Sequence, residues 1–189
     1  KFIFCNSSQI FKKKNGVVNE KSNFSYNSDY SKFRIECHKL MMDYKKRKKI
    51  NYTNALLFNH DSIYRNKKFL IPRIIHALKK KNYLFLKKII NENISADFSH
   101  AKDICLGLIK ILMSKNNLDN VILSSGKLTC INDIIRFISK KKGISLPFKI
   151  HKKKSNKGLI GNNLIAKKKF KWFPKKNIFQ ASLEIYDNF

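Results

Sequence analysis

Three short polar segments carry the side chains that could perform acid–base chemistry. They are residues 7–9, the pair Tyr30 and Arg34, and the pair Asn59 and His60. Residues four apart share one face of a helix, so Tyr30 and Arg34 would lie side by side. A cation beside a phenol stabilises the phenolate, and such a phenol can exchange a proton with an alcohol or sugar oxygen. Taken alone, the spacing also fits an ordinary helix start with solvated charges.

Strands that alternate with helices would position these segments. Residues 1–5 are an apolar, strand-like run, and residues 52–58 form a second one that ends at Asn59. The intervening residues 30–48 are predicted to be an amphipathic helix, because apolar side chains recur there at steps of three and four: Phe33, Cys37, Leu40, Met41 and Tyr44. This alternation predicts an α/β fold with parallel strands and crossover helices.

The same reasoning predicts further elements along the chain. Residues 12–27 are polar and should form a long surface loop. Helices are predicted at 69–78, with Pro72 in the first turn, and at 100–113, 131–139 and 178–186. Strands are predicted at 83–90 and 120–123, and Asn163 should cap a short helix that ends near Phe170. Basic runs at 45–49, 79–81, 139–142 and 152–154 are expected at helix ends and in loops.

The positive charge of the chain is extreme. Lys and Arg number 41 against 12 Asp and Glu, which gives a formal charge of +29 over 189 residues. Such a charge fits a polyanionic partner, so a basic nucleic-acid-binding module is the alternative from a different functional class. It also fits the codon bias of an AT-rich genome, because Lys, Asn and Ile are all abundant and the basic residues are spread out. We favour codon bias and expect weak binding at low salt, with no specific nucleic acid as partner.

The cysteines argue against a metal site. Cys5, Cys37, Cys105 and Cys130 lie far apart and form no CxxC pair, so no bound metal is expected. The first three lie in apolar stretches and are expected to be small buried hydrophobic residues. No apolar run approaches the roughly 18 residues of a membrane-spanning helix, and no secretory signal is expected. A reducing cytoplasm is the expected location, with no membrane as partner.

Longer motifs give the polar segments a common context. Residues 57–65 read Leu-Phe-Asn-His-Asp-Ser-Ile-Tyr-Arg, residues 96–103 read Ala-Asp-Phe-Ser-His-Ala-Lys-Asp, and residues 170–174 read Phe-Lys-Trp-Phe-Pro. These motifs resemble those of extended short-chain dehydrogenases/reductases that modify nucleotide sugars, and most of all the GDP-mannose 4,6-dehydratases. The family counterparts are Leu-Phe-Asn-His-Glu-Ser-Pro-Arg-Arg, Arg-Asp-Trp-Gly-His-Ala-Lys-Asp and Leu-x-Trp-x-Pro. The resemblance covers nearly the whole chain.

The resemblance implies catalytic roles for the first two segments. Ser7 corresponds to the Ser or Thr that hydrogen-bonds the substrate hydroxyl. Tyr30 corresponds to the acid–base that removes the proton at sugar C4 while hydride passes to the nicotinamide. Arg34 takes the place of the family lysine, so the charge is kept but a planar fork replaces a flexible ammonium group.

The resemblance also implies binding roles. Arg34, His60 and Arg65 correspond to positions that bind NADP, with NAD as the alternative cofactor. Asn59 lies where the family contacts the nucleotide sugar, which by resemblance is GDP-mannose. The later motif residues Asp97 and His100 are expected either to be structural or to support the site residues from behind. Trp172 and Pro174 are expected to be packing and turn residues.

Gln9 departs from the family pattern. The dehydratases have a Glu there, the base that removes the C5 proton before water leaves C6. A neutral amide cannot accept that proton, and loss of a general base typically costs ~10²–10⁴ in rate. Three interpretations stay open: an enzyme limited to C4 oxidation or reduction or to epimerisation, such as an epimerase or 4-ketoreductase; an enzyme that uses another base; or a catalytically impaired relative.

The glycine-rich loop that cradles dinucleotide phosphates is missing from the sequence. We therefore expect a longer protein whose N-terminal part carries that loop, since the chain starts at Lys1 inside an apolar run. Residues 1–60 are expected to be the C-terminal part of a Rossmann-like, doubly wound NAD(P)-binding domain. Residues 61–189 are expected to be mainly a smaller mixed α/β substrate lobe, with some elements returning to the sheet. A homo-oligomer is expected at full length.

Overall fold

The computed structural model describes residues 1–150 and 157–189. Its strands, in chain order, are β1 (Phe2–Ser7), β2 (Gly16–Val18), β3 (Tyr52–Leu57), β4 (Asn59–Asp61), β5 (Ser95–His100), β6 (Asn120–Leu123), β7 (Leu128–Cys130) and β8 (Leu159–Gly161). Its α-helices are α1 (Asp29–Lys48), α2 (Leu70–Lys79), α3 (Tyr83–Glu92), α4 (Ala101–Met113), α5 (Ile131–Lys141), α6 (Leu164–Phe170) and α7 (Ile178–Asp187). A 3₁₀ turn over Ser8–Ile10 follows β1.

Parallel strand pairing dominates the described ranges. There β1, β3 and β6 form a parallel sheet in the order β1-β3-β6, and α1 is the crossover between its first two strands. A second sheet has β5 at its centre, parallel to β4 and antiparallel to β7. Strands β2 and β8 form a short parallel pair. The α/β class with parallel strands and crossover helices is confirmed.

Apolar side chains pack in separate clusters around these sheets. The largest, which we call the helical cluster, joins α2, α3, α5 and α7 through buried residues that include Ile75, Leu86, Ile135 and Ala181. A second cluster packs α1 and the turn after β1 against β3 and β6. A third lies between α4, α6 and the sheet and contains the buried Trp172, which supports the packing role expected for that residue.

Most predicted elements are confirmed, and one is wrong in type. Residues 83–90 were expected to be a strand but belong to helix α3. The side chain of Asn82 accepts a hydrogen bond from the backbone N–H of Phe85 and so caps the helix, while Leu86 and Ile89 point into the core. The apolar density of this stretch fits either element, and the spacing of its buried residues selects the helix.

Two smaller local expectations are also corrected. Strand β2 lies within the predicted loop at 12–27, because Val18 is buried where it pairs with Gly161 of β8. Asn163 precedes α6 as expected, but its side-chain amide donates to the Ser124 carbonyl oxygen. The first-turn N–H of Leu164 is instead bound by the side chain of Asn162 at 3.0 Å.

The expected burial of three cysteines is not observed. Cys5 is exposed because β1 is an outer strand of its sheet in the described residues. Cys105 on α4 is exposed, and Cys37 on α1 is half-buried. An apolar sequence context therefore overstated the burial of all three.

The predicted apolar stripe of α1 faces outward. Phe33 is 63% exposed and Leu40 is 56% exposed, whereas the helix buries Ser31, Ile35 and His38. Of the basic runs, 45–49, 79–81 and 139–142 lie at the ends of α1, α2 and α5, and 152–154 lies outside the described residues.

The free side of β6 is covered by an acidic side chain. The carboxylate of Glu20 accepts a hydrogen bond from the backbone N–H of Ile122 at 3.0 Å. Burial raises the pKa of Glu20, and the hydrogen bond from Ile122 opposes that rise. A buried strand N–H that does not pair with β3 thereby gains a partner within the chain.

Candidate active site

The carboxyl ends of β1 and β3 meet at one edge of the parallel sheet. The register pairs Ser7 of β1 with Leu57 of β3, so the segments that follow the two strands lie side by side. The 3₁₀ turn follows β1 there, and Asn59 begins β4. Because α/β proteins bind ligands at the carboxyl ends of parallel strands, this edge is the expected place for a site.

Helix α1 begins beside this edge because its first turn is capped. The Ser28 hydroxyl accepts a hydrogen bond from the backbone N–H of Ser31, and the Ser31 hydroxyl accepts one from the N–H of Ser28. This capping box fixes the helix start, so Tyr30 lies in the first turn and Arg34 one turn later. Tyr30 is 49% exposed, and the guanidinium carbon of Arg34 lies 5.8 Å from the centre of its ring.

Two side chains of β1 hold Arg34 against the sheet. Its Nε donates to Oδ1 of Asn6 at 3.3 Å, and its guanidinium carbon lies 4.4 Å from the centre of the Phe4 ring. The same Asn6 oxygen accepts the backbone N–H of Ser7 at 2.8 Å. The cation on the helix and the backbone of Ser7 at the strand end are thus connected through the side chain of Asn6.

Ser7 is the last residue of β1, and Gln9 lies in the turn that follows it. The Ser7 hydroxyl oxygen accepts the backbone N–H of Gln9 at 3.2 Å. A hydroxyl that accepts in this way still has its own proton to donate. The Gln9 side chain is exposed, and the backbone carbonyl oxygen of Gln9 accepts a hydrogen bond from the side-chain amide of Asn27 at 3.1 Å.

His60 and Arg65 come from β4 and the turn that follows it. Nδ1 of His60 donates to the carbonyl oxygen of Phe58 at 2.8 Å, which orients the imidazole. The guanidinium carbon of Arg65 lies 3.6 Å from the centre of the Phe69 ring, and its Nε lies 3.8 Å from a carboxylate oxygen of Asp61. Burial raises the pKa of Asp61, while the charges of Arg65 and His60 oppose that rise.

The remaining motif residues hold the surrounding backbone. The side chain of Asn59 donates to the carbonyl oxygen of Asp97 at 3.4 Å. The buried Asp97 carboxylate in turn accepts the backbone N–H groups of Ser125, Gly126 and Gly161. Burial raises the pKa of Asp97, and these hydrogen bonds lower it. The contacts support the structural role expected for this residue.

His100 is likewise part of the framework. Its Nδ1 accepts the backbone N–H of Lys102 at 3.1 Å, and its Nε2 donates to a carboxylate oxygen of Glu184 at 2.8 Å. Hydrogen bonds from Lys176 and His100 lower the pKa of Glu184. Both ring nitrogens of His100 are therefore used within the chain, which supports the structural role expected for it.

All the predicted site residues line one cleft of about 480 Å³: Ser7, Gln9, Tyr30, Arg34, Asn59, His60 and Arg65. Ligand pockets typically measure about 300–1,000 Å³, so a small molecule fits this volume. Asn6 and Phe69 also line the cleft and were missed from the sequence. A polar side chain at the end of an apolar strand, directly before Ser7, was the available signal for Asn6.

The charge of the cleft favours an anionic ligand. Arg34 and Arg65 bring two guanidinium groups into its lining. Cys5 also lines it; burial and, to a smaller extent, Cys105 raise the pKa of its thiol, while the charge of Arg34 lowers it.

Neither a metal centre nor a membrane span is found within residues 1–150 and 157–189. No group of three or more His, Cys, Asp and Glu side chains in these ranges could hold a metal ion. The helices described there are too short or too polar to cross a bilayer.

Comparisons with solved structures agree with this architecture. UDP-glucuronic acid 4-epimerase from Bacillus cereus, in complex with NAD, superposes with a TM-score of 0.83 at 20% identity, over 100% of this chain and 60% of that one. RMD from Pseudomonas aeruginosa, complexed with NADPH, superposes with a TM-score of 0.84 at 14% identity, over 98% of this chain and 65% of that one. dTDP-glucose 4,6-dehydratase from Bacillus anthracis, in complex with NAD, superposes with a TM-score of 0.79 at 15% identity, over 98% of this chain and 60% of that one. At these identities the likeness establishes the Rossmann-like fold alone.

Sequence comparisons identify the family. GDP-mannose 4,6-dehydratase from Sinorhizobium fredii is 23% identical over 133 residues, which cover 68% of this chain and 37% of that protein. The chain thus spans well under two thirds of the length of this curated relative. The family model for GDP-mannose 4,6 dehydratase matches residues 1–180, which is nearly the whole sequence. The chain therefore belongs to the GDP-mannose 4,6 dehydratase family of short-chain dehydrogenases/reductases.

Proposed function

We propose that this chain belongs to a nucleotide-sugar-modifying enzyme whose reaction starts with oxidation at C4 of the sugar. The observation that carries the proposal is the meeting of Ser7, Tyr30 and Arg34 in one cleft at the carboxyl ends of parallel strands. GDP-mannose is the favoured substrate, because the family match extends over residues 1–180. The relatives with solved structures include a UDP-glucuronic acid 4-epimerase and a dTDP-glucose 4,6-dehydratase, so other nucleotide sugars belong in the same test.

The chain's own residues would handle the C4 proton. Tyr30 would take the proton of the C4 hydroxyl, since its ring is exposed at the cleft and Arg34 lies one turn away. The Ser7 hydroxyl would donate a hydrogen bond to the same sugar oxygen, because its proton is not used by the Gln9 N–H that it accepts. The guanidinium of Arg34 would stabilise the phenolate form of Tyr30.

The cleft residues fit a nicotinamide cofactor, with NADP favoured and NAD as the alternative. Arg34, His60 and Arg65 would hold its ribose and phosphate groups. The Nε of Arg65 is a buried donor without a hydrogen-bond partner among the described residues, which suits an incoming anionic group. When bound, such a cofactor accepts the hydride from C4. The related solved structures contain NAD or NADPH.

Gln9 decides between two outcomes after C4 oxidation. Loss of water across C5 and C6 needs a base for the C5 proton, and an amide side chain does not provide one. If another group supplies the base, the enzyme is a NADP-dependent dehydratase, that is, a lyase. Otherwise the enzyme is a 4-epimerase, which returns the hydride to the opposite face of the C4 ketone, or a catalytically impaired relative. A 4-ketoreductase, which would start from a 4-keto sugar and the reduced cofactor, is the remaining alternative.

The setting of this activity follows from general features of the chain. We propose a cytoplasmic enzyme, since its free thiols at Cys5, Cys37, Cys105 and Cys130 suit a reducing compartment. A homo-oligomer at full length is proposed by family resemblance. Specific nucleic-acid binding is not proposed, because the basic residues are spread along the chain.

The decisive experiment follows the sugar product of the protein expressed from its complete reading frame. GDP-mannose and UDP-glucuronic acid are each incubated with NADP or NAD, and the products are separated and weighed by mass spectrometry. A dehydratase yields a product lighter by one water, whereas an epimerase yields one of unchanged mass. The proposal fails if neither substrate is converted or oxidised.

Tyr30→Phe tests the acid–base assignment. Loss of general acid–base catalysis should lower turnover roughly 10²–10⁴-fold while leaving the fold intact. Tyr44→Phe is the matched control, because Tyr44 lies on the same helix and is 46% exposed. Equal activity in the two variants would remove Tyr30 from the proposed mechanism.

A further inference from the structure

The guanidinium of Arg34 lies between two side chains of the neighbouring strand. Phe4 and Asn6 are two residues apart on β1, so both point to the face covered by α1. The Phe4 ring lies 4.4 Å from the guanidinium carbon, and the Asn6 amide lies beside Nε. We call Phe4 and Asn6 the arginine seat.

Asn6 uses its whole amide group to connect the seat to the cleft. It is 2% exposed, so its polar atoms need partners within the protein. Its Oδ1 accepts Nε–H of Arg34 at 3.3 Å and the backbone N–H of Ser7 at 2.8 Å. Its Nδ2 donates to the carbonyl oxygen of Arg34 at 3.4 Å. The contacts of this one residue fix both the helix backbone and the cation.

These contacts match the shape of a guanidinium group. Arg34 offers an in-plane Nε donor and a flat face, whereas a lysine has a compact ammonium that can neither stack on a ring nor donate midway along its side chain. Within the described ranges, Arg34 donates through Nε, and its terminal amino groups are left for a ligand in the cleft that it lines. Such a pair of donors suits two adjacent oxygen atoms.

We propose that Arg34 is an adapted replacement for the family lysine: the seat formed by Phe4 and Asn6 holds it as a rigid, two-pronged donor toward the vicinal hydroxyls of the cofactor ribose. Asn6 is then a positioning residue for that donor. This inference rests on the proposed function. It predicts that Arg34→Lys weakens cofactor binding, whereas a decayed lysine site would be repaired by the same substitution.

The first test needs no ligand and uses the chain itself. Solvent exchange of the arginine Nε–H protons is measured by ¹H–¹⁵N NMR, and Arg34→Lys identifies the Arg34 signal by its disappearance. We expect a protected Arg34 signal that exchanges at least several-fold faster in Asn6→Ala. Phe4→Leu keeps apolar volume but removes the stacking face, so it should accelerate exchange to a smaller extent.

Asn54→Ala is the matched control for Asn6→Ala. Asn54 is fully buried on β3, and its side chain donates to Asn120 at 2.8 Å, away from the cleft lining. Both variants remove a buried strand amide, but the Arg34 signal should change in Asn6→Ala alone. An Arg34 signal that exchanges equally fast in wild type, Asn6→Ala and Phe4→Leu would overturn the inference, as would an equal change in Asn54→Ala.

The second test titrates the protein from the complete reading frame with NADPH. Arg34→Lys and Asn6→Ala should each lose roughly ten- to a hundredfold in affinity, the effect of a hydrogen bond to a charged group, while Asn54→Ala binds as wild type does. Unchanged or tighter binding by Arg34→Lys would refute the adapted-arginine inference. If the wild type binds NADPH but converts no nucleotide sugar, the proposed function is refuted, whereas the inference about the arginine seat is not affected.

Discussion

Helices α1 and α5 bury different proportions of apolar and polar side chains. Helix α5 buries four isoleucines in the helical cluster, together with Asn132 and Ser139: Ile131, Ile134, Ile135 and Ile138. Helix α1 buries Ser31, Ile35 and His38 and leaves Phe33 and Leu40 at the surface. Apolar packing has little directionality, whereas a hydrogen bond fixes distance and angle.

The difference fits the position of the candidate site. Helix α1 carries Tyr30 and Arg34, and polar contacts fix its place through the capping box, the pair Asn6 and Arg34, and the pair His38 and Tyr52. Helix α5 contributes no residue to the cleft lining. The helix that carries the candidate site residues is thus positioned mainly by polar contacts, and the helix of the core mainly by apolar packing.

Truncation inside α5 should have the largest effect on stability. Ile135→Ala removes a fully buried side chain from the helical cluster, and such changes cost about 2–5 kcal/mol because a cavity remains. The loss is measured as a lower urea midpoint in circular dichroism. If Ile135→Ala costs less stability than the α1 variants described next, apolar packing is not the main interaction that holds α5.

Breaking a polar contact of α1 should have an intermediate effect. Nδ1 of His38 lies 2.9 Å from the buried hydroxyl of Tyr52, whose pKa burial raises above its ordinary range. His38→Phe leaves this hydroxyl without its partner, at a cost of about 1–3 kcal/mol. Adding Tyr52→Phe should recover part of that cost, because both polar partners are then gone. Additive losses in the double variant would contradict a direct coupling.

The same histidine should make stability depend on pH. Burial lowers the pKa of His38, against a smaller opposing effect of the Asp119 carboxylate. As the pH falls below about 6.5, the unfolded chain binds a proton at this position before the native state does, so the free energy of unfolding decreases. His38→Phe should flatten this slope between pH 7.5 and 5.5. An unchanged slope in His38→Phe would contradict this assignment.

Truncation of a side chain in the outward apolar stripe of α1 should have the smallest effect on stability. Leu40→Ala changes an exposed side chain and should alter the free energy of unfolding by no more than about 0.5 kcal/mol. Urea unfolding at two protein concentrations provides the measurement. A cost that matches Ile135→Ala and grows with concentration would mean that another copy covers this stripe.

The sequence revealed helix positions well and helix orientation poorly. Periodicity located α1 and α5 equally, because both carry apolar residues at steps of three and four. It did not reveal that the stripe of α1 lies outside, since that depends on Asn6 and Tyr52, which come from other elements. The polar strand β5 was missed for the same reason: its residues are buried by pairing with β4 and β7 rather than by their own character.

The residues of the candidate cleft could be predicted from the sequence more completely than the local details of the fold. Motif order indicated Ser7, Tyr30, Arg34 and Asn59, and the carboxyl ends of parallel strands bring them to one cleft. Their chemical roles stay predictions. The seat that holds Arg34 was beyond sequence reasoning, because a buried amide shared between a strand and a helix leaves no periodic signal.

The acidic cover of β6 bears on how the protein behaves at high concentration. An open strand invites a foreign strand to add to it, which is a common route to aggregation. With Glu20 occupying the N–H of Ile122, an approaching strand from another molecule must first displace a carboxylate. Protonation of Glu20 removes the negative charge from this acceptor, so its hydrogen bond to Ile122 should weaken as the pH falls through the raised pKa of that side chain.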